Sequence, residues 1–396
     1  SNTYDSKGYT QSTTDALART VSFEHDAAGR IVRQVLPDSR EIIFGYDNDG
    51  HMNSITPPGR PAHTYTHNRY GQIVEYRPPD LGPGSESTSY TYDRDLLLVR
   101  VDRPDGSTIS YDYDEAGRIR EKIMPHGSVT YTYDPSSGLP AAVTAPDGGL
   151  LTFSYDGSLA TGMSWSGSVA GTVTRQFNDD FRVIRRDVNT EAAITFAYDD
   201  DGLLTRAGEL QLSRNAVNGL VQSSALGAVT DDWTYNEFGE VVEYRAWFNS
   251  QEVYYLTLER DQRGRIVRRS ESIGAGAPTL TGYNYDPAGR LVEVTTDAAT
   301  SATYVYDGNS NRASVTRPSG SQSGTYDDHD RLSQYDGITY EYDAMGDLLS
   351  RTSGTEVTTY EHAVGGLRRV VYLVDREPVY WGFGSVGLGT SCGGCA

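Results

Sequence analysis

Four groups of residues in this 396-residue chain have types and spacings that could do chemistry. Gly382-Phe383-Gly384-Ser385-Val386-Gly387 matches the dinucleotide fingerprint by letter. The fingerprint needs a helix opening at its glycines and an acid about twenty residues on, and only nine residues follow Gly387. His63 and His67 are four apart and would share a strand face, as a metal pair would. No third ligand lies nearby in the sequence and His67 sits in an aromatic slot of a repeat, so the pair reads as structural. Asp307-Gly308-Asn309-Ser310-Asn311 and Asp47-Asn48-Asp49-Gly50 open like calcium loops. The bidentate acid of a calcium-binding loop falls at its twelfth position, which after Asp307 is Pro318, and turn chemistry explains both runs. Cys392-Gly393-Gly394-Cys395 has the spacing of half a zinc site or a redox pair, but another chain would have to complete it. No Gly-x-Ser-x-Gly elbow has convincing partners. The expectation is therefore no catalytic residue, no cofactor and no metal.

The elements that carry these residues are repeats. Tyr111-Asp112-Tyr113-Asp114-Glu115-Ala116-Gly117-Arg118-Ile119 recurs as Tyr283-Asn284-Tyr285-Asp286-Pro287-Ala288-Gly289-Arg290-Leu291. Further copies are Tyr90/Tyr92/Asp93, Tyr131/Tyr133/Asp134, Tyr304/Tyr306/Asp307 and Tyr340/Tyr342/Asp343. Softer copies begin at Phe44, Phe153, Phe196 and Trp233, and degenerate ones lie at Phe23/His25/Asp26, Tyr65/His67/Asn68, Glu259/Asp261, Tyr326/Asp327 and Tyr360/His362. The Asp or Asn marker recurs mostly every 20 to 25 residues, with long gaps after Asp156 and Asp199. Phe177-Asn178-Asp179-Asp180 fills the first gap as a decayed copy. About sixteen units result.

Each position in the unit has a physical reason. Aromatics two apart point to one face of a strand. Asp ends the strand by bonding backbone N–H groups two residues on. Glycine three residues later supplies a positive φ for a tight reversal. Arg followed by Leu or Ile starts the return strand, which closes at turns such as Pro104-Asp105-Gly106 or Pro146-Asp147-Gly148. A lone hairpin is marginal in water, so consecutive units must stack into one sheet, with the nearest-neighbour energetics of a repeat protein. The fold expected is all-β: tandem β-hairpins forming a continuous spiralling antiparallel sheet, an open or partial hollow shell. Residues 21–381 form the spiral, degenerate over about 157–232; 1–20 is a polar lead-in and 382–396 a Gly-rich tail.

Composition agrees. Tyr outnumbers Phe 29 to 9, which suits a sheet face that is half covered and half wet. The 42 Gly and 16 Pro fit many short strands and turns. A net charge of −20 argues against nucleic-acid binding, and no apolar stretch is long enough for a membrane-spanning helix. The polar start lacks a signal-peptide pattern, so the chain reads as a mature protein or as a piece of a longer one.

On these residues the chain resembles the Rhs/YD-repeat family: bacterial polymorphic-toxin proteins, toxin-complex shell subunits and the extracellular part of teneurins. The resemblance covers roughly Phe23 to Trp381. It implies a hollow β shell that encloses a C-terminal effector in the toxins and is an adhesion scaffold in teneurins. The chain departs from the toxin pattern in lacking an Asp-Pro-x-Gly core-end motif, since Asp134-Pro135 and Asp286-Pro287 are internal turns. The resemblance implies a non-enzymatic, encapsulating scaffold, extracellular or on the bacterial cell surface. Its expected partner is itself, through strand edges, or the remainder of a longer polypeptide, with a toxin enclosed. A second reading is an adhesion or carbohydrate-binding protein that contacts surface glycans. A third, an enzyme hidden in the degenerate middle (Gly157 to Asp232), has no catalytic group to support it.

Overall fold

Seventeen consecutive hairpins carry the same irregularity at the same point: one extra residue opposite the second aromatic position, from Tyr4 to Tyr342. The computed structural model that shows this describes residues 1–82, 87–167, 169–189, 191–362, 368–374 and 377–382, with side chains to Tyr360. These residues form thirty-seven strands, β1 (Asn2–Tyr4) through β37 (Glu377–Gly382), and no helix. Every strand pairs antiparallel with its neighbours in sequence, so the sheet is one long meander. The stretch expected as a lead-in already carries a hairpin of this kind, built on Tyr4, Asp5 and Gly8.

The unit works as its chemistry requires. In the hairpin of β11 (Thr108–Tyr113) and β12 (Ile119–Met124), Asp114 Oδ1 accepts the N–H groups of Ala116 and Arg118, both at 2.9 Å. Gly117 sits at φ 76°, where a side chain would be strained. Arg118 Nε donates to Asp114 Oδ2 at 2.7 Å, and the guanidinium lies 4.2 Å from the Tyr133 ring centroid in the next hairpin. Arg30, Arg265, Arg290 and Arg331 repeat this arrangement with Tyr46, Tyr285, Tyr306 and Tyr342.

Between hairpins the ladder is short. β10 (Leu98–Asp102) pairs with β11 only from Asp102↔Thr108 to Arg100↔Ser110, so the strands part towards the Asp turn. The second tyrosine closes that gap: Tyr113 Oη donates to the Leu98 carbonyl at 2.6 Å. Tyr46, Tyr92, Tyr133, Tyr198, Tyr235, Tyr285, Tyr306 and Tyr342 make the same bond. Replacing Tyr113 with Phe strands one half-buried carbonyl, and the expected cost in urea unfolding is about 1 kcal/mol. No change in the midpoint would mean that water serves that carbonyl equally well.

The tyrosines of successive units do not lie directly opposite one another at Tyr90, Tyr111 and Tyr131. Each return strand intervenes: Tyr90 lies across from Val101 and Tyr92 across from Leu98. The pairs share a face, but Val101 stands between Tyr90 and the next pair, and Lys122 between Tyr111 and the one after.

A bulge bends and twists its strand, and seventeen on the same edge curl the ribbon. The layer is single. Val315 is fully buried, Ala302 and Ala246 nearly so, and most of the sheet's residues are half-exposed. The accessible surface is 24461 Å², whereas a compact monomer of 43.4 kDa exposes about 15,000 Å².

Candidate functional site

The ribbon has two edges, one formed by the Asp turns that follow odd-numbered strands and one by the turns that follow even-numbered strands. These opposite edges meet. The turn between β2 (Thr10–Thr14) and β3 (Thr20–His25) touches the turn between β25 (Gln251–Arg260) and β26 (Ile266–Ile273): Asp15 Oδ2 lies 3.3 Å from Arg263. The turn after β4 (Ile31–Val35) touches the one after β27 (Thr279–Tyr285), with Asp38 3.7 Å from Arg290. The turn after β6 (Met52–Thr56) touches the one after β29 (Ala299–Tyr306), where Arg60 donates to Asp307 at 2.7 Å. After β8 (Ile73–Arg77), the Pro79 carbonyl is 2.6 Å from His329 Nε2, beyond β31 (Gly320–Tyr326). These contacts step by twenty-three strands, and Arg19, Arg40 and Arg60 also reach the next turn along, at Pro287, Gly308 and Asp330, a step of twenty-five. Among the described residues no strand of one coil packs on a strand of the other; the coils meet through turns.

Twenty-three strands at about 4.8 Å make a circuit of roughly 110 Å, a ring roughly 35 Å across. The second coil then passes beneath the first like a lock washer.

Arg60 is the centre of the seam. Its side chain is 13% exposed, and the guanidinium bridges Asp307 at 2.7 Å and Asp330 at 2.8 Å. Asn311 Nδ2 donates to Asp330 Oδ1 at 2.5 Å, Asn309 reaches the other oxygen, and Arg40 donates to the Gly308 carbonyl and Ser310 Oγ at 3.0 and 2.7 Å. Burial pushes the Asp307 carboxyl up, but bonds from Asn311, the Asn309 N–H and the Arg60 charge outweigh it and hold it below the ordinary value. The run that reads like a calcium loop is thus filled by protein cations and amides. Beside it a groove of about 550 Å³ follows the seam, lined by His63, Tyr76, Arg103, His329, Arg331 and Met345.

The other sequence candidates separate. His63 Nδ1 bonds Tyr76 Oη at 2.8 Å, away from His67, whose ring stacks instead on His51 with centroids 5.0 Å apart. Gly382 ends β37, and the rest of the glycine run and Cys392 and Cys395 lie outside the described residues. In the repeat set, Asp93, Asp114, Asp134, Asp286, Asp307 and Asp343 all accept turn N–H groups. Reading by aromatics misses Asn215, which ends a hairpin whose second slot holds Arg214. Arg214 Nε donates to the Leu204 carbonyl at 2.8 Å, the bond a tyrosine makes elsewhere. Gly219 four residues after Asn215 was the available signal.

The family model described as Teneurin YD-shell matches residues 1–381. The chain belongs to the YD-shell family. It is 26% identical to zebrafish (Danio rerio) Teneurin-3 over 90% of its own length, and 27% identical to mouse (Mus musculus) Teneurin-3 over 93%. It spans 14% of the length of each of these relatives. Double-stranded DNA deaminase toxin A of Burkholderia cenocepacia (strain H111) is 25% identical, with 87% of this chain and 30% of the toxin covered. Among solved structures, TcdB2-TccC3-TEV superposes with a TM-score of 0.72 at 14% identity, over 96% of this chain and 26% of that one. That likeness shows a shared fold.

Proposed function

We propose that the chain is a non-enzymatic wall segment of a hollow YD shell, secreted or displayed at a cell surface, whose role is to enclose or scaffold. The observation that carries this is the seam: a single-layer sheet returns after twenty-three strands and bonds its own opposite edge, which builds a wall around an interior and leaves no conventional core. Its relatives include both teneurins and a protein named as a toxin, so the wall serves as a common part and the cargo or partner varies.

Both edges continue beyond the seam. On the Asp-turn edge of the first coil, Phe181, Val217 and Phe238 are 70%, 96% and 78% exposed at turn tips. Apolar tips on an edge of this kind favour a further coil or cap, supplied by the rest of a longer polypeptide or by a second copy. Negative-stain images of the isolated chain are expected to show short rings or tubes with a stained centre, associating end to end as concentration rises. A solid globule of the volume of 43 kDa would overturn the reading.

A further inference from the structure

One junction between hairpins places histidine at both the Arg and the Tyr positions of the Asp–Arg–Tyr pattern. Where an arginine follows the Asp turn, as at Arg30, Arg118, Arg265, Arg290 and Arg331, it pairs with its own Asp and covers the second tyrosine of the next unit. In the unit following Arg30 the Asp is Asp47, the arginine slot holds His51, and the tyrosine slot holds His67, at the end of β7 (His63–His67). No guanidinium occupies this triad; the neighbouring Arg30 is taken up by Asp26 and Tyr46.

The three side chains converge. Asp47 Oδ1 accepts the N–H groups of Asp49 and His51 at 3.0 and 2.9 Å, which leaves Oδ2 turned to the rings. Oδ2 lies 3.4 Å from His51 Nδ1 and 3.9 Å from His67 Nδ1, and the three ligand atoms fall within 4.8 Å of one another. Both ring nitrogens are buried and neither makes a hydrogen bond; the His67 side chain is 9% exposed. Gly71 lets the His51 ring sit there, since a Cβ at that position would come 2.7 Å from Nε2.

Such distances are long for a hydrogen bond but suit ligands around one ion. Bonds of 2.0 to 2.2 Å in a tetrahedron put ligand atoms about 3.3 Å apart. We infer that Asp47, His51 and His67 bind a divalent transition metal of the zinc class through Asp47 Oδ2 and the two Nδ1 atoms, with water in the fourth position. The ion would supply the positive charge that Arg30, Arg118, Arg265, Arg290 and Arg331 bring to their junctions, and pin two hairpins together.

The test uses the full, tag-free chain stripped with chelator and titrated with Co²⁺, followed by its visible d–d absorption and by competition with Zn²⁺. One equivalent should bind with a tetrahedral spectrum, and Zn²⁺ should raise the thermal midpoint. The double variant His51→Arg/His67→Tyr restores the ordinary triad, so it should fold and melt at least as well as metal-free wild type while binding at least about tenfold more weakly. His51→Gln should weaken binding likewise, and His63→Gln should not, because His63 is engaged by Tyr76. Absence of saturable Co²⁺ binding to wild type, or unchanged binding in both His51 variants, would overturn the assignment.

Discussion

Replacing Arg60 with Asp is expected to part the two coils while leaving each coil's ladder intact. The substitution removes the cation that bridges Asp307 and Asp330 and sets a third carboxylate beside them. At about 4 Å and an effective dielectric near 20, each like-charge pair costs about 4 kcal/mol, reduced here by solvent at the partly exposed acids. The remaining seam contacts are few, such as the bonds from Arg40 to Gly308 and Ser310, and one hydrogen bond of this kind contributes about 1 kcal/mol. They cannot offset that repulsion. Hydrogen exchange should therefore quicken at the turns around residues 57–60, 307–311 and 327–331, with strand amides staying protected because every strand bonds only its sequence neighbours. The radius of gyration should rise as the washer opens. Arg60→Met, which removes the bridge without adding an acid, should show a weaker form of both effects. Identical exchange at those turns in Arg60→Asp and wild type would show that the seam does not hold the coils.

The repeat was legible because its information is local. Two aromatics, an Asp and a Gly within seven residues specify strand, cap and reversal without reference to the rest of the chain, as Tyr111 to Gly117 show. Where one residue is replaced by another of different type and equal reach, the pattern disappears from view although the structure persists. Arg214 bonds the Leu204 carbonyl and Arg260 the Val241 carbonyl in place of a tyrosine hydroxyl. Leu96 and Phe181 hold positive φ where glycine is usual.

The seam was not legible, because its step of twenty-three to twenty-five strands is the sum of many small twists and bends. No sequence neighbourhood of Arg60 names Asp307 or Asp330, about 250 residues away. Periodicity along one strand likewise suggested His63 as the mate of His67. The mate is His51, because the arginine slot of one unit faces the second aromatic slot of the next. Comparing slots between units, rather than residues along a strand, exposes both replacements together.

The same turn carboxylates should make the shell acid-labile as a whole. In Asp114 the Arg118 guanidinium, then the Arg118 and Ala116 N–H groups, hold the carboxyl below its ordinary 3.8. The Arg30 N–H and guanidinium do the same for Asp26. Asp134, bonded by the Ser136 hydroxyl and by the Ser137 N–H and hydroxyl, falls to about 2. A carboxyl whose pKa is lower in the folded state binds fewer protons there than in the unfolded chain. Its stabilising effect is thus complete above the unfolded value near 3.8 and is lost as pH falls through the folded values. Stability should be flat on the acid side of neutrality and drop steeply between about pH 4 and pH 2. Because the turns repeat along a ladder in which each hairpin supports the next, the individual losses combine into one cooperative transition. The turns at Asn68, Asn178, Asn215 and Asn236 show that asparagine caps the same reversal without a titrating group. Replacing Asp26, Asp114 and Asp134 together by Asn should therefore lower stability modestly at neutral pH, where the Arg30 and Arg118 pairs are lost, and flatten the acid limb. Urea midpoints measured across the range would decide it. A transition centred above about pH 5 would point to histidine or glutamate instead, and an unchanged slope in the triple variant would remove these turns from the account.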